Sequence, residues 1–362
     1  MTAPIFIVGA NRSGTTLLRL ILNAHPRIAI PDELIYFDSH LAGIPIEQWR
    51  SPDLSRPAYE RFVQDFLTNN CRPLDAIDKE TLKTEILSGT PTFRRPYRCV
   101  LEAWAEAHGK ERWGEKTPGN LFYPDIILEM FPDAHFLYVV RDPRAGVASM
   151  QKVSFFPDDV VFNALSRRKH DTKGRSLLHQ TVPPSQRQTI RYEDLVQNPA
   201  SEVQSICRFL REEYTPAMLR FHQDADDYMK DEAQRGYNET ATHPITDDRV
   251  DAWRRQLLPR QVATVESICS DIMQCFEYEP TRHRVSLSRR AEILVKQAYW
   301  TYQCWRHRDI RQYTVKHPLF ARARARLGRL VERVHRHGLR CSPFRATRRS
   351  GQDSGGDDIQ TR

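Results

Sequence analysis

PIFIVGA (4–10), NRSG and TTLLRLILNAH (15–25) follow one another without a break. The first reads as a short apolar strand ending in Gly9. The last reads as a helix, with Leu18, Ile21, Leu22 and His25 at helical spacing. A strand that runs through a glycine-flanked loop into a helix is half of a βαβ unit. Gly9 to Thr16 also fits GxxxxG followed by two threonines. Such a loop aims successive backbone N–H groups, and the helix N-terminus behind them, at an anion. A nucleoside triphosphatase needs a Lys in this loop and a carboxylate for Mg²⁺. Here Thr15 stands at the Lys position and Arg12 precedes the turn. The loop is therefore built for an anion other than magnesium-bound ATP. The plainer alternative is a tight strand–helix turn whose glycines serve geometry alone.

The same arrangement recurs downstream. AHFLYVV (134–140) is the clearest strand in the chain, and RDPRAGVASM turns at once into a helix, with Asp142 as its cap and Pro143 in its first turn. YPDIILEMF before it reads as a helix, QTIRYEDL (188–195) as a short strand and turn, and NPASEVQSICRFL as a helix capped by Asn198. Residues 247–277 give two helices around Pro259, and residues 153–185 are loop-like at both ends. Residues 38–112 are polar, punctuated by Pro and helical in patches, which reads as an insertion shaping a cleft. Alternating strands and helices predict an α/β fold of the phosphate-loop type: a parallel sheet with helices on both faces.

Charge separates body from tail. The chain carries 54 Lys and Arg against 46 Asp and Glu; residues 281–362 hold 20 and 6 of these, a net of +14, which leaves −6 for residues 1–280. An acidic globular body with a cationic appendage is the reading, not a nucleic-acid-binding body. The expected division is a domain over 1–280, a basic amphipathic helical extension over 281–340 and a disordered tail over 341–362. In the extension, Leu287, Ala291, Leu294, Ala298, Tyr302 and Trp305 recur at steps of three or four. A second helix over 319–337 sets Arg322, Arg326, Arg329, Arg333 and Arg336 opposite Leu319, Ala323, Leu327, Leu330, Val331 and Val334. This stripe suits an anionic membrane surface; the alternative is a solvated face on a helix packed against the domain. No window approaches the ~18 apolar residues of a membrane span. Seven scattered cysteines without metal-ligand spacing, and no signal peptide, predict a reduced, cytoplasmic chain without a zinc site, peripheral at most on the inner membrane face.

ANRSGTTLLRLILNAHP (10–26) resembles the 5′-phosphosulfate loop of the sulfotransferases, closer to the tyrosylprotein and carbohydrate members and their bacterial relatives than to the small-phenol enzymes. FLYVVRDPRAGVASM (136–150) is similar to that family's 3′-phosphate motif, with Arg141 at the strand end and Ser149 eight residues on. IRYEDLVQNP (190–199) resembles the segment whose Tyr, here Tyr192, lies near the adenine, and WGEKTPGN (113–120) recurs in the bacterial and carbohydrate enzymes. The resemblance implies 3′-phosphoadenosine-5′-phosphosulfate as co-substrate, no metal, and a hydroxyl-bearing acceptor of the carbohydrate or lipid-linked kind. A donor with two anionic ends needs two anion sites, and the two strand–helix junctions supply one each at the carboxyl edge of one sheet.

On this resemblance Arg12, Ser13, Gly14, Thr15 and Thr16 would hold the 5′-phosphate, and Arg141, Ser149 and Tyr192 the 3′-phosphate and adenine. Glu33, in HPRIAIPDELIYF, matches the family's general base, with Asp32 as its rival and a plain helix-start pair as the alternative. Lys116, then Arg12, would meet the leaving oxygen, with Glu115 orienting Lys116 or forming an exposed pair with it. His243 falls near a loop the family closes over the donor, and His25 reads as a cap. The rival classes are a phosphate-loop kinase or NTPase, and a non-catalytic anion-binding protein on the same fold.

Overall fold

The structure, a computed structural model, describes residues 2–41, 55–69, 77–228 and 239–312. Five strands, β1 (Ile5–Gly9), β2 (Ile28–Ala29), β3 (Arg112–Lys116), β4 (His135–Val140) and β5 (Arg187–Arg191), form one sheet in the order β2-β3-β1-β4-β5. Every neighbouring pair is parallel. Strand side chains alternate between faces, and both faces of this sheet are covered. Ile5, Ile7, Leu137, Val139 and Ile190 pack with α1 (Thr15–Asn23). Phe6, Val8, Phe136 and Tyr138 pack on the other side with α2 (Arg56–Asn69), α3 (Lys79–Ser88), α4 (Arg94–Ala107) and α5 (Pro124–Met130). The Phe6 and Phe136 rings stack with centroids 5.6 Å apart, locking the two central strands from below. The predicted α/β class and the helical character of the insertion are therefore as read; residues 42–54 and 70–76 of that insertion lie outside the described residues.

Topology opens the cleft. From β1 the chain crosses through α1 to β2 at one edge; from β4 it crosses through α6 (Pro143–Met150), α7 (Val160–Lys169) and α8 (Arg175–Thr181) to β5 at the other. Neighbouring strands whose crossovers leave in opposite directions part at their carboxyl ends, where open α/β sheets bind ligands. Gly9 makes the approach of β1 and β4 possible there: a Cβ on it would lie 2.5 Å from the Val139 carbonyl oxygen.

Residues 153–185 are loop-like at both ends, as expected, around the helices α7 and α8; Asp159 caps α7 and its apolar face joins a satellite core. Other local expectations need correction. The turn after β5 is a short helix, α9 (Tyr192–Gln197). Asn198 stands at the cap of α10 (Pro199–Leu210) but makes no side-chain capping bond. Pro259 opens α11 (Pro259–Ile268), which is followed by α12 (Ser270–Cys275) and preceded by a single helical turn. In α13 (Leu287–Gln312) the packed side is Ile293, Lys296 and Trp300, while Leu287, Leu294 and Val295 are 82%, 66% and 43% exposed. Lys296 decides this orientation by pairing with Asp159 of α7 at 2.5 Å. The expected helix over 319–337 and the tail over 341–362 lie outside the described residues.

One amide holds β2 in place. The fully buried Asn23, at the end of α1, donates from Nδ2 to the Ile30 carbonyl at 2.9 Å and accepts from the Ile30 N–H at 2.7 Å. An unpaired buried backbone group costs ~1–3 kcal/mol. Asn23→Ala, which orphans two, should lower unfolding free energy in urea by about 2–4 kcal/mol and speed hydrogen exchange at Ile30. Unchanged exchange at Ile30 would count against this role.

Candidate active site

The loop between β1 and α1 is made by two left-handed residues, Arg12 (φ 65°) and Gly14 (φ 99°), closed by the Ser13 N–H on the Ala10 carbonyl at 3.2 Å. Gly14 caps α1 with no side-chain bond, and no acid stands in the first turn. The first N–H groups of the helix, and the positive end of its dipole, thus face the loop without a competing carboxylate from that turn. Ser13 is buried, and its hydroxyl has no hydrogen-bond partner among the described residues. Thr15 is buried and Thr16 half-buried beside it. Tyr192 lies against Gly14 so closely that a Cβ there would sit 2.5 Å from its ring.

Arg141 leaves the end of β4 and turns back over this loop. It donates to the carbonyls of Arg12 (3.3 Å) and Arg249 (2.8 Å), and its guanidinium lies 4.0 Å from the Tyr192 ring centre. It is 8% exposed, its Nε has no partner, and no carboxylate among the described residues forms an ion pair with it. Burial disfavours its charged form and pushes its pKa down. Its neighbour Arg144 has what Arg141 lacks: Asp142 at 2.7 Å and Glu266 at 2.8 Å. A cation buried without an anionic partner is costly, and an anion on the loop would relieve it. Arg12 completes the join, donating from Nε to Ser149 Oγ at 3.0 Å. Asp142 caps α6 as expected, accepting from the Arg144 N–H at 2.8 Å. Ser13, Gly14, Arg12, Arg141, Ser149 and Tyr192 thus come together from three separate segments.

A second cluster stands beside the loop. Lys116 ends β3, the strand next to β1, and its Nζ meets Glu33 Oε1 at 2.5 Å; the Lys116 side chain is buried and that of Glu33 is 33% exposed. Asp32 is engaged elsewhere, paired with the fully buried Arg19 of α1 at 2.8 Å, so of the two it is Glu33 that meets Lys116. The expectation that Glu115 orients Lys116 or pairs with it on the surface needs correction. Strand alternation turns Glu115 to the opposite face, where it is buried and accepts from Thr117 Oγ1, Asn120 Nδ2 and the Leu34 N–H. It braces the turn that follows Lys116 and the segment that carries Glu33. Ile35, a β-branched residue at φ 48°, marks backbone strain two residues after Glu33.

His25 is structural: its Nδ1 accepts from the Arg27 N–H, its Nε2 meets the Glu213 carbonyl, and burial lowers its pKa. His243 is exposed, on the segment that reaches Arg141 through the Arg249 carbonyl. Arg19, Asn23 and Arg249 escaped the motif reading. A charged residue amid Leu17, Leu18, Leu20 and Ile21 is the available signal for Arg19. A backbone carbonyl such as that of Arg249 leaves no trace in sequence.

Residues 4–216 match the profile of the sulfotransferase family. Among curated relatives, protein-tyrosine sulfotransferase A of Caenorhabditis elegans is 24% identical over 301 residues, 82% of this chain and 72% of that protein. The omega-hydroxy-beta-dihydromenaquinone-9 sulfotransferase Stf3 of Mycobacterium tuberculosis is 24% identical over 288 residues, 64% of this chain and 69% of that one. Among solved structures, the sulfotransferase domain from the curacin biosynthetic pathway superposes with a TM-score of 0.56 at 23% identity, covering 78% of this chain and 99% of that domain. That likeness extends the fold assignment beyond the phosphate loop.

Burial pushes the Glu115 carboxyl from its ordinary 4.5 up to about 7, against the opposing Thr117 hydroxyl. Between pH 4.5 and 7 the unfolded chain gives up this proton and the folded one keeps it. Stability therefore falls as pH rises through that window and levels off above it. Relative to Glu115→Gln, the wild type should lose on the order of 3 kcal/mol across the window, read from urea unfolding at each pH. A constant difference between the two proteins would rule Glu115 out as the titrating group.

Proposed function

The chain belongs to the sulfotransferase family, and on that premise we propose that it moves a sulfuryl group from 3′-phosphoadenosine-5′-phosphosulfate to a hydroxyl of a carbohydrate, glycolipid or similar acceptor. The observation that carries the donor assignment is Arg141: a buried guanidinium without a carboxylate, touching the backbone of a phosphate loop that also holds an unpartnered buried hydroxyl, Ser13. When bound, the donor supplies a sulfuryl group of spread charge on a phosphate leaving oxygen. Arg141 and Ser149 hold the 3′-phosphate, bidentate recognition being what a guanidinium does best. The loop N–H groups with Ser13, Thr15 and Thr16 would hold the 5′-phosphate, and Tyr192 would stand near the adenine.

As in phosphoryl transfer, the protein positions the reactants and supplies positive charge. Lys116, with Arg12 second, stabilises the negative charge developing on the leaving oxygen. Glu33 takes the proton of the acceptor hydroxyl. Its direct contact with Lys116 supports this reading, in which base and cation work side by side. Glu33→Gln should lower turnover by ~10²–10⁴ and leave donor affinity within about threefold. The measurement is transfer of labelled sulfate into a lipid and glycan extract, alongside calorimetry with adenosine 3′,5′-bisphosphate. Parallel loss of turnover and affinity would remove Glu33 from the base role. Absence of any labelled product with the wild-type protein would remove the acceptor class.

The exposed apolar side of α13, Leu287, Leu294 and Val295, borders exposed Arg284 and Arg290 and lies within the cationic last 82 residues. It supports a reading in which the protein meets its acceptor at an anionic surface. No described helix is long and apolar enough to cross a membrane. Full-length protein should float with vesicles containing phosphatidylglycerol and not with pure phosphatidylcholine. The double substitution Leu287→Ser with Leu294→Ser, on largely exposed side chains, should weaken flotation several-fold. Equal flotation of both proteins would exclude α13 from the contact.

A further inference from the structure

Arg167 lies in α7 and reaches the two strand–helix junctions through their backbone. Its side chain is fully buried, as is that of Asp171, which it meets at 2.8 Å. Tyr138 of β4 donates to the other oxygen of Asp171 at 2.9 Å. The remaining reach of the guanidinium is spent on backbone: Nη1 donates to the Asn11 carbonyl at 3.1 Å and Nη2 to the Arg141 carbonyl at 2.8 Å. Asn11 belongs to the phosphate loop and Arg141 to the end of β4, 130 positions later in the chain (141 − 11). One planar fork therefore grips both strand–helix junctions from behind.

Stability does not account for this arrangement, since a buried ion pair is commonly no better than a well-packed apolar pair of the same volume. An apolar pair cannot, however, fix two carbonyl groups at a set spacing. Nor can a Lys, whose ammonium is a point charge without the fork. The direction of the carbonyls matters too. In a trans peptide the C=O and N–H point oppositely. Drawing the Asn11 oxygen back toward Arg167 turns its dipole away from an anion on the loop, and aims the N–H of Arg12 away from Arg167. The chain makes room for this contact at Gly146 of α6, where a Cβ would fall 2.4 Å from Arg167 Nη1.

We infer that Arg167 is a positioning residue that sets the distance between the 5′- and 3′-phosphate subsites, so that selection for a bisphosphorylated nucleotide depends on it. This rests on the reading of the two junctions as the ends of one donor site. The test is calorimetry on the full chain, well below its melting temperature, with adenosine 3′,5′-bisphosphate and adenosine 5′-monophosphate. Arg167→Met combined with Asp171→Asn avoids a stranded buried charge. Gly146→Ala suits helix geometry and displaces the guanidinium without removing it. Both variants should lose at least about tenfold in affinity for the bisphosphate, in keeping with the large penalties of small misplacements, and change by less than about threefold for the monophosphate. A merely structural role would move melting temperature and leave the ratio of the two affinities alone; a preserved ratio in Gly146→Ala, or in the double variant, overturns the inference. Wild-type protein that binds both nucleotides equally would instead sink the donor-site reading beneath it, and this inference with that reading.

Discussion

Charge taken out of water must be answered, and this structure is organised by how it answers a set of buried arginines. Arg19 is met by Asp32, Arg112 by Glu212, Arg144 by Asp142 and Glu266, and Arg167 by Asp171. Arg19–Asp32, Arg112–Glu212 and Arg144–Glu266 join segments distant in the chain, and breaking a buried pair by removing a single partner would strand a charge at a cost of ~3–5 kcal/mol. Arg19 ties the helix behind the phosphate loop to the segment carrying Glu33. Arg144 ties the second junction to the C-terminal part of the body, with Glu266 also accepting from Thr281. Arg141 alone in this set is answered by carbonyls and a tyrosine ring instead of a carboxylate, and it is the one that faces the loop.

The same physics explains how an acidic body of net −6 can be suited to an anionic nucleotide. Local potential in a cleft is set by a few placed cations, oriented N–H groups and a helix end, in surroundings with little water to screen them. The sum over the surface has little say there. The positive formal charge of the chain resides in the last 82 residues, not in the body that carries the cleft.

Much of this was legible from residues alone. Continuous apolar runs ended by Gly9 and by Arg141–Asp142 announce buried parallel strands that empty into anion-binding turns. The Asp–Pro pair after β4 announces a helix cap, and the structure forms that cap. Other features were hidden because they depend on distant partners. Residues 153–185 lack strong periodicity and become helical through packing against α11 and α13. Of the apolar steps along α13, Leu287 and Leu294 are left exposed while Tyr302 is buried, and Lys296 pairs with Asp159 at the start of α7. Glu115 and Lys116 are adjacent in sequence yet serve opposite faces of the sheet, as strand geometry requires.

Local chemistry written in short stretches is sufficient for the α/β class, the glycine-flanked loop after β1 and the capped helix after β4, because strand, turn and cap preferences act within a few residues. Long-range contacts are what engage Asp32 with Arg19, bring Lys116 onto Glu33 and join Arg167 to the Asn11 and Arg141 carbonyls. These depend on side chains separated by between 13 and 156 positions in the chain meeting at one sheet edge, and a linear pattern carries no record of which buried charge will find which partner.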